Sequence, residues 1–228
     1  MSTLSNVETH QDPCIEPTPD AIPEAKSTTT GVSVGYVPKP GYEWFVFRAS
    51  YGREDRAADY IVADGTYAYV AKRYTRKIVD GKAKRVLENL IPNLLFAYTT
   101  SANADLYIKS TPELSFLSYY YNHFEHSEGT KNPPLTIPKR EMESFILATC
   151  SHDEHLLVVS RECCHFRGGE LVQVIEGAFK GVEGRVARVA GQQRVVVNLN
   201  NIGYISTAFI PTAFIQKIDI EAQSKHQS

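Results

Sequence analysis

The chain has 228 residues, 43% hydrophobic and 22% charged, with 24 basic against 26 acidic side chains and a formal net charge of −2. That is the composition of a globular protein with apolar material for one or two small domains. Near-neutrality excludes a global field that would draw the chain to nucleic acid or an anionic membrane, so any such attraction must come from local patches.

Residues 1–41 read as a disordered tail, because breakers and small polar residues, as in Asp12-Pro13 and Ser27-Thr28-Thr29-Thr30-Gly31, have no apolar period. Order is expected from Trp44-Phe45-Val46-Phe47, an aromatic and β-branched strand broken by Gly52. A helix follows from about Arg53, with Ala57, Tyr60 and Ile61 as its apolar stripe and Gly65 as its stop. Residues 66–98 predict a long hairpin turned at Asp80-Gly81, descending into a central strand at 90–98 with Pro92 at its start. A second helix is expected from Ser101 as N-cap, with Ala104, Tyr107 and Ile108 on one face and Pro112 ending it. Residues 115–124 are strand-like, and Ile137-Pro138 opens a third helix that buries Met142, Phe145 and Ile146. This order implies an α+β domain over 42–150, one sheet with packed helices.

Residues 151–166 read as a linker. The character then changes to short strands only, at 171–175, 185–189, 194–199, 204–210 and 214–218, punctuated by glycines. Closure into a small, separate all-β barrel over 167–220 is the economical way to remove exposed edges. Residues 221–228 form a second disordered tail.

The four cysteines, Cys14, Cys150, Cys163 and Cys164, make no disulfide framework and indicate a reducing compartment. The N-terminus has no leader pattern, and no stretch approaches the roughly 18 apolar residues of a membrane helix. The expectation is a cytoplasmic protein without a membrane partner. Cofactor, metal and enzymatic readings are poor. His123-x-x-His126 and His152-x-x-His155 lack further ligands at useful spacing, and Cys163-Cys164-His165 is too contiguous to wrap one zinc ion. There is no phosphate loop or nucleophile elbow.

The sharpest signal is the strand–turn–strand run from Val172 to Val186, with Gly177, Phe179, Gly181 and Gly184. It resembles a KOW motif, the mark of a small SH3-like barrel in ribosomal proteins and elongation factors. Trp44-Phe45-Val46, the helix from Arg53 and Ile91-Pro92-Asn93-Leu94-Leu95-Phe96 resemble the NusG N-terminal (NGN) domain. Within that family, Pro92-Asn93-Leu94-Leu95-Phe96 and Glu176-Gly177-Ala178-Phe179 resemble the RfaH type. Ser118-Tyr119-Tyr120-Tyr121-Asn122 and the run from Asn132 to Pro138 look closest to UpxY-type antiterminators of capsular polysaccharide operons.

The resemblance implies a monomeric transcription elongation factor, not an enzyme, docking on the clamp helices of RNA polymerase. It implies operon-specific processive antitermination. A general NusG-type factor recruiting Rho, and a ribosomal or RNA-binding structural protein with the same barrel, stay open as alternatives. Pro92, Leu94 and Phe96 match the docking strand, with plain core as the competing reading. Arg53 and Arg56 match positions that touch the non-template DNA strand, with a solvated face as the alternative. The hairpin carries Lys72, Arg73, Arg76, Lys77, Lys82, Lys84 and Arg85, a patch for phosphates of DNA or nascent RNA or simply a soluble hairpin. The barrel would take a ribosomal protein or Rho.

Overall fold

The computed structural model describes residues 36–122 and 132–218. β1 (Glu43–Ala49) is apolar on both faces, so both faces are covered: Trp44 and Val46 enter one apolar cluster, Phe45 and Phe47 another. Tyr51 and Gly52, both at positive φ (62° and 64°), reverse the chain into α1 (Glu54–Ala63). α1 buries Ala57 and Ile61, whereas Tyr60, expected in the same stripe, is 38% exposed. β2 (Tyr67–Tyr69) follows. β3 (Lys72–Val79) and β4 (Lys82–Asn89) form a hairpin with a sheet of its own. Asp80 and Gly81 turn it with positive φ at both positions (54° and 74°), as a primed turn requires.

β5 (Leu94–Thr99) is buried along its whole length. α2 (Ser101–Lys109) is capped one residue earlier than expected, because the Thr100 hydroxyl accepts from the Asn103 N–H at 3.3 Å. β6 (Leu117–Tyr119) is shorter than the strand-like run in the sequence, and His123 and Phe124 lie outside the described residues. β7 (Thr136–Ile137) leads through Pro138 into α3 (Lys139–Thr149), which buries Met142, Phe145 and Ile146. The first sheet runs β2-β5-β1-β6 with β7 also on β1, all its pairs antiparallel. α1 and α2 bury their apolar residues with Phe45, Phe47 and Leu95 on one face; α3 does so with Trp44, Leu94 and Phe96 on the other.

The C-terminal part is all β: β8 (Leu157–Val159), β9 (His165–Val174), β10 (Glu183–Val189), β11 (Gln192–Leu199), β12 (Gly203–Phe209) and β13 (Ile215–Lys217), hydrogen-bonded in the order β13-β9-β10-β11-β12-β8. Two expectations change here. The stretch read as a linker is built into this sheet: β8 pairs with β12, and His165 and Phe166 pair with Arg188 and Ala187. Nor is the β-rich part separate. Val172, Val174, Val182, Val195 and Leu199 share one apolar cluster with Phe145 and Ile146 of α3 and with Trp44 and Phe96 of the first sheet. The apolar stripes of short strands cannot reveal in sequence which neighbour they will bury against.

The end of the expected tail is also ordered. The Tyr36 ring packs 4.5 Å from Tyr98 and 5.1 Å from Trp44, and its hydroxyl donates to Glu143 at 3.2 Å. Burial raises the Tyr36 phenol well above its ordinary value.

Candidate functional site

Of the three sets of residues that the sequence singled out, the start of α1 contacts the other two: Asp55 pairs with Lys72 at the base of the hairpin, and Glu54 holds the Asn93 N–H in the turn after Pro92. The docking strand is the first. Direct docking needs these side chains exposed, but Leu94 is 7% and Phe96 1% exposed; only Pro92 of the three faces solvent. Phe96 meets Phe145 edge-on at 5.2 Å. The physical reason is α3, which covers this face of β5 and is distant in sequence.

Arg53 and Arg56 are the second set. Arg53 precedes the first turn of α1; its Nε donates to the Ser50 carbonyl at 3.1 Å, and its guanidinium lies 4.0 Å over the Phe116 ring. Arg56, exposed, stands 5.7 Å from the same ring. Beside them Tyr51 is 89% exposed. Both cations therefore sit on one aromatic support, Phe116, with a second ring, Tyr51, open to solvent. Glu54 and Asp55 do not neutralise them: Asp55 pairs with Lys72 at 3.1 Å and Glu54 turns inward.

The hairpin is the third. Its charge is less free than the sequence suggests. Besides the Lys72 pair, Arg76 pairs with Glu154 at 3.2 Å, Lys77 pairs with Glu88, and Lys84 reaches Asp80 at 3.6 Å. The Lys77 hydrogen bond, followed by that of Thr75, holds the Glu88 carboxyl below the usual range. Arg73 donates to the Leu156 carbonyl at 2.7 Å, and Arg85 stacks 3.8 Å over Tyr74. Arg73 and Arg76 thus tie the hairpin to the 153–156 segment. The exposed end retains Lys82, Lys84 and Arg85, with Ile78 81% exposed among them.

Residues 42–146 match the NusG family, described as transcription termination factor nusG. Over these residues the chain is similar to the NusG family. The NusG match takes in α1, the basic hairpin, β5 and most of α3. The chain is 25% identical over 170 residues to the transcription termination/antitermination protein NusG of Streptococcus pyogenes serotype M3 (strain ATCC BAA-595 / MGAS315), covering 70% of this chain and 87% of that protein. The NusG protein of S. pyogenes serotype M1 gives the same figures. A solved structure described as domain interaction in Thermotoga maritima NusG aligns with 78% of this chain and 98% of its own, at 16% identity and a TM-score of 0.36.

Outside the NusG match, the glycine-rich turn after β9 has a distinct geometry. Gly181 stands at φ 92°, and a Cβ there would lie 3.3 Å from Leu147 of α3. A Cβ on Gly184 would come within 2.6 Å of the Val196 carbonyl oxygen, so a side chain has no room. Phe179 is 6% exposed, and a Cβ on Gly177, at φ 83°, would lie 3.5 Å from the Phe214 ring. Arg140 of α3 pairs with Glu183, and the Ser144 hydroxyl accepts from the Glu183 N–H at 3.3 Å.

Sequence reasoning missed Glu54, Tyr51 and Phe116. The pairing of Glu54 with Asn89 and Asn93 spans more than thirty positions and leaves no local signal. Among the described residues no three His, Cys, Asp or Glu side chains converge on a metal position, and no helix is long and apolar enough to cross a membrane. His123 and His126 lie outside the described residues.

Proposed function

We propose that this protein is a NusG-type transcription termination/antitermination factor that binds RNA polymerase and contacts nucleic acid at the transcription bubble, as a binding protein without catalysis of its own. The observation that carries the reading is the NusG match over 42–146, which contains the docking strand, the α1 start and the basic hairpin together. Pro92 supplies the direct polymerase contact, and Leu94 and Phe96 shape the strand from beneath. Arg53, Arg56 and the exposed end of the hairpin meet phosphates and unpaired bases of the non-template strand or nascent RNA. The C-terminal strands, read as a KOW-type barrel carrying Gly177, Phe179, Gly181 and Gly184, recruit a further partner such as a ribosomal protein or Rho. Binding across a cleft biases the polymerase towards one state and needs no cofactor.

Within this class we favour an operon-specific processive antiterminator of the UpxY/RfaH type, serving capsular polysaccharide genes. What supports it is the Tyr119-Tyr120-Tyr121 run and the Pro92-to-Phe96 strand. A general elongation factor is the second reading, favoured by the likeness to S. pyogenes NusG over 87% of that protein. Chromatin immunoprecipitation of the tagged protein separates them. Occupancy confined to one or a few operons is expected; a profile that follows polymerase across the genome overturns the specialised reading, and no co-purification with polymerase overturns both.

A further inference from the structure

The junction between α1 and β5 is built around a buried carboxylate. Glu54 is 3% exposed. Its Oε1 accepts from Asn89 Nδ2 at 2.7 Å and from the Asn93 N–H at 3.1 Å, while Oε2 is buried with no hydrogen-bond donor among the described residues. Asn93 holds a left-handed backbone, φ 61°. Its carbonyl accepts from the Ala49 N–H at 2.9 Å, and its Oδ1 accepts from the Gly52 N–H at 3.1 Å. One carboxylate oxygen therefore joins the end of β4, the turn that follows Pro92 and, through Asn93, the reversal at Tyr51 and Gly52.

As a stabilising device this is a poor choice. A buried carboxylate with one oxygen unpaired, and with no ion-pair partner among the described residues, is costly to desolvate. A hydrocarbon side chain would avoid that cost but leave the Asn89 and Asn93 donors without their acceptor. What the carboxylate does provide is geometry: two convergent donors on one oxygen fix Asn93, and Asn93 fixes Gly52. Tyr51 also holds a left-handed backbone, which a non-glycine residue keeps only where its surroundings impose it.

We propose that Glu54 is a positioning residue that locks the Tyr51–Arg53 loop to the turn after Pro92, so that the nucleic-acid loop and the polymerase strand are presented as one rigid unit. The inference rests on the binding reading above, and its test keeps the two apart. Full-length wild type, Glu54→Ala, Glu54→Gln and Asn93→Gly are compared by amide hydrogen exchange. The same proteins are compared by affinity for a reconstituted polymerase elongation complex and by crosslinking to its displaced single strand.

Gln keeps an oxygen for both donors and removes the buried charge, so E54Q should match wild type in exchange at Gly52 and Asn93 and in both binding assays. E54A should raise exchange at those two amides by about tenfold or more, with the β3–β4 hairpin unchanged, and weaken strand crosslinking to a similar degree. N93G tolerates the positive φ and keeps the backbone bond to Glu54 but deletes the bond to Gly52; it should lose strand crosslinking and keep polymerase affinity. Unchanged exchange at Gly52 and Asn93 in E54A overturns the positioning role. Should E54A not fold, wild-type crosslinking in N93G overturns it instead. Altered exchange in E54A together with a wild type that does not bind polymerase leaves the lock standing and overturns the binding reading.

Discussion

Phe96 shows how one residue's role depends on what lies above it. As an exposed docking residue it could be cut back without unfolding the domain. At 1% exposure and edge-on to Phe145, it is core. Phe96→Ala should cost about 3–5 kcal/mol of stability in denaturant unfolding. A loss of polymerase binding with unchanged stability would return Phe96 to the surface. Gly184 is the converse case, a site with no room: Gly184→Ala should cost roughly 1–3 kcal/mol, because the obstructing atom is backbone. Arg53 is legible as a cation at a helix start but not as a guanidinium resting on Phe116, which is remote in sequence. Arg53→Lys keeps the charge and loses the planar stack, so it should weaken single-strand crosslinking while leaving polymerase affinity intact. Equal crosslinking would assign the contact to charge alone.

At the scale of elements, α3 decides most of what the sequence left open. Its period marked a buried stripe, and Met142, Phe145 and Ile146 are buried. Its contacts with the C-terminal strands had no comparable signal, because the apolar ones draw on the same stripe and the polar ones are single. Arg140 meets Glu183, Ser144 meets the Glu183 N–H, and Glu141 Oε2 accepts from the Asn200 N–H at 3.0 Å. Burial pushes the Glu141 carboxyl above its ordinary value of 4.5, partly offset by the Asn200 bond. A carboxyl raised in the folded state takes up its proton more readily there than in the unfolded chain. Its contribution is therefore fully present below 4.5 and is lost as pH rises through the raised value. Relative to Glu141→Gln, the wild-type protein should gain stability as pH falls from neutrality towards 4.5, read as the difference in their denaturant midpoints. Parallel pH profiles would remove Glu141 from the contact.

For the molecule as a whole, the shared apolar cluster predicts that residues 36–218 unfold together, as one calorimetric transition and not as two. The paired hairpin predicts weak salt dependence of its nucleic-acid contact. With Lys72, Arg76, Lys77 and Lys84 in ion pairs and Arg73 on the Leu156 carbonyl, Lys82 and Arg85 remain, and the hairpin's share of the slope of log affinity for single strands against log salt should be roughly −1.4. A slope near −5 would mean that the ion pairs open on binding. The sequence by itself determined the elements whose information is local. The Asp80-Gly81 turn, the α1 and α3 stripes, the both-face apolar strands and the glycine-rich turn each rest on backbone preference or a period of two or 3.6. Only the tertiary structure decided which apolar faces are covered, which cations are free and that Leu157–Val159, His165 and Phe166 belong to a sheet. Those outcomes depend on contacts between residues far apart in the chain, such as Phe96 with Phe145, Arg76 with Glu154 and Glu54 with Asn93, and no local pattern encodes them.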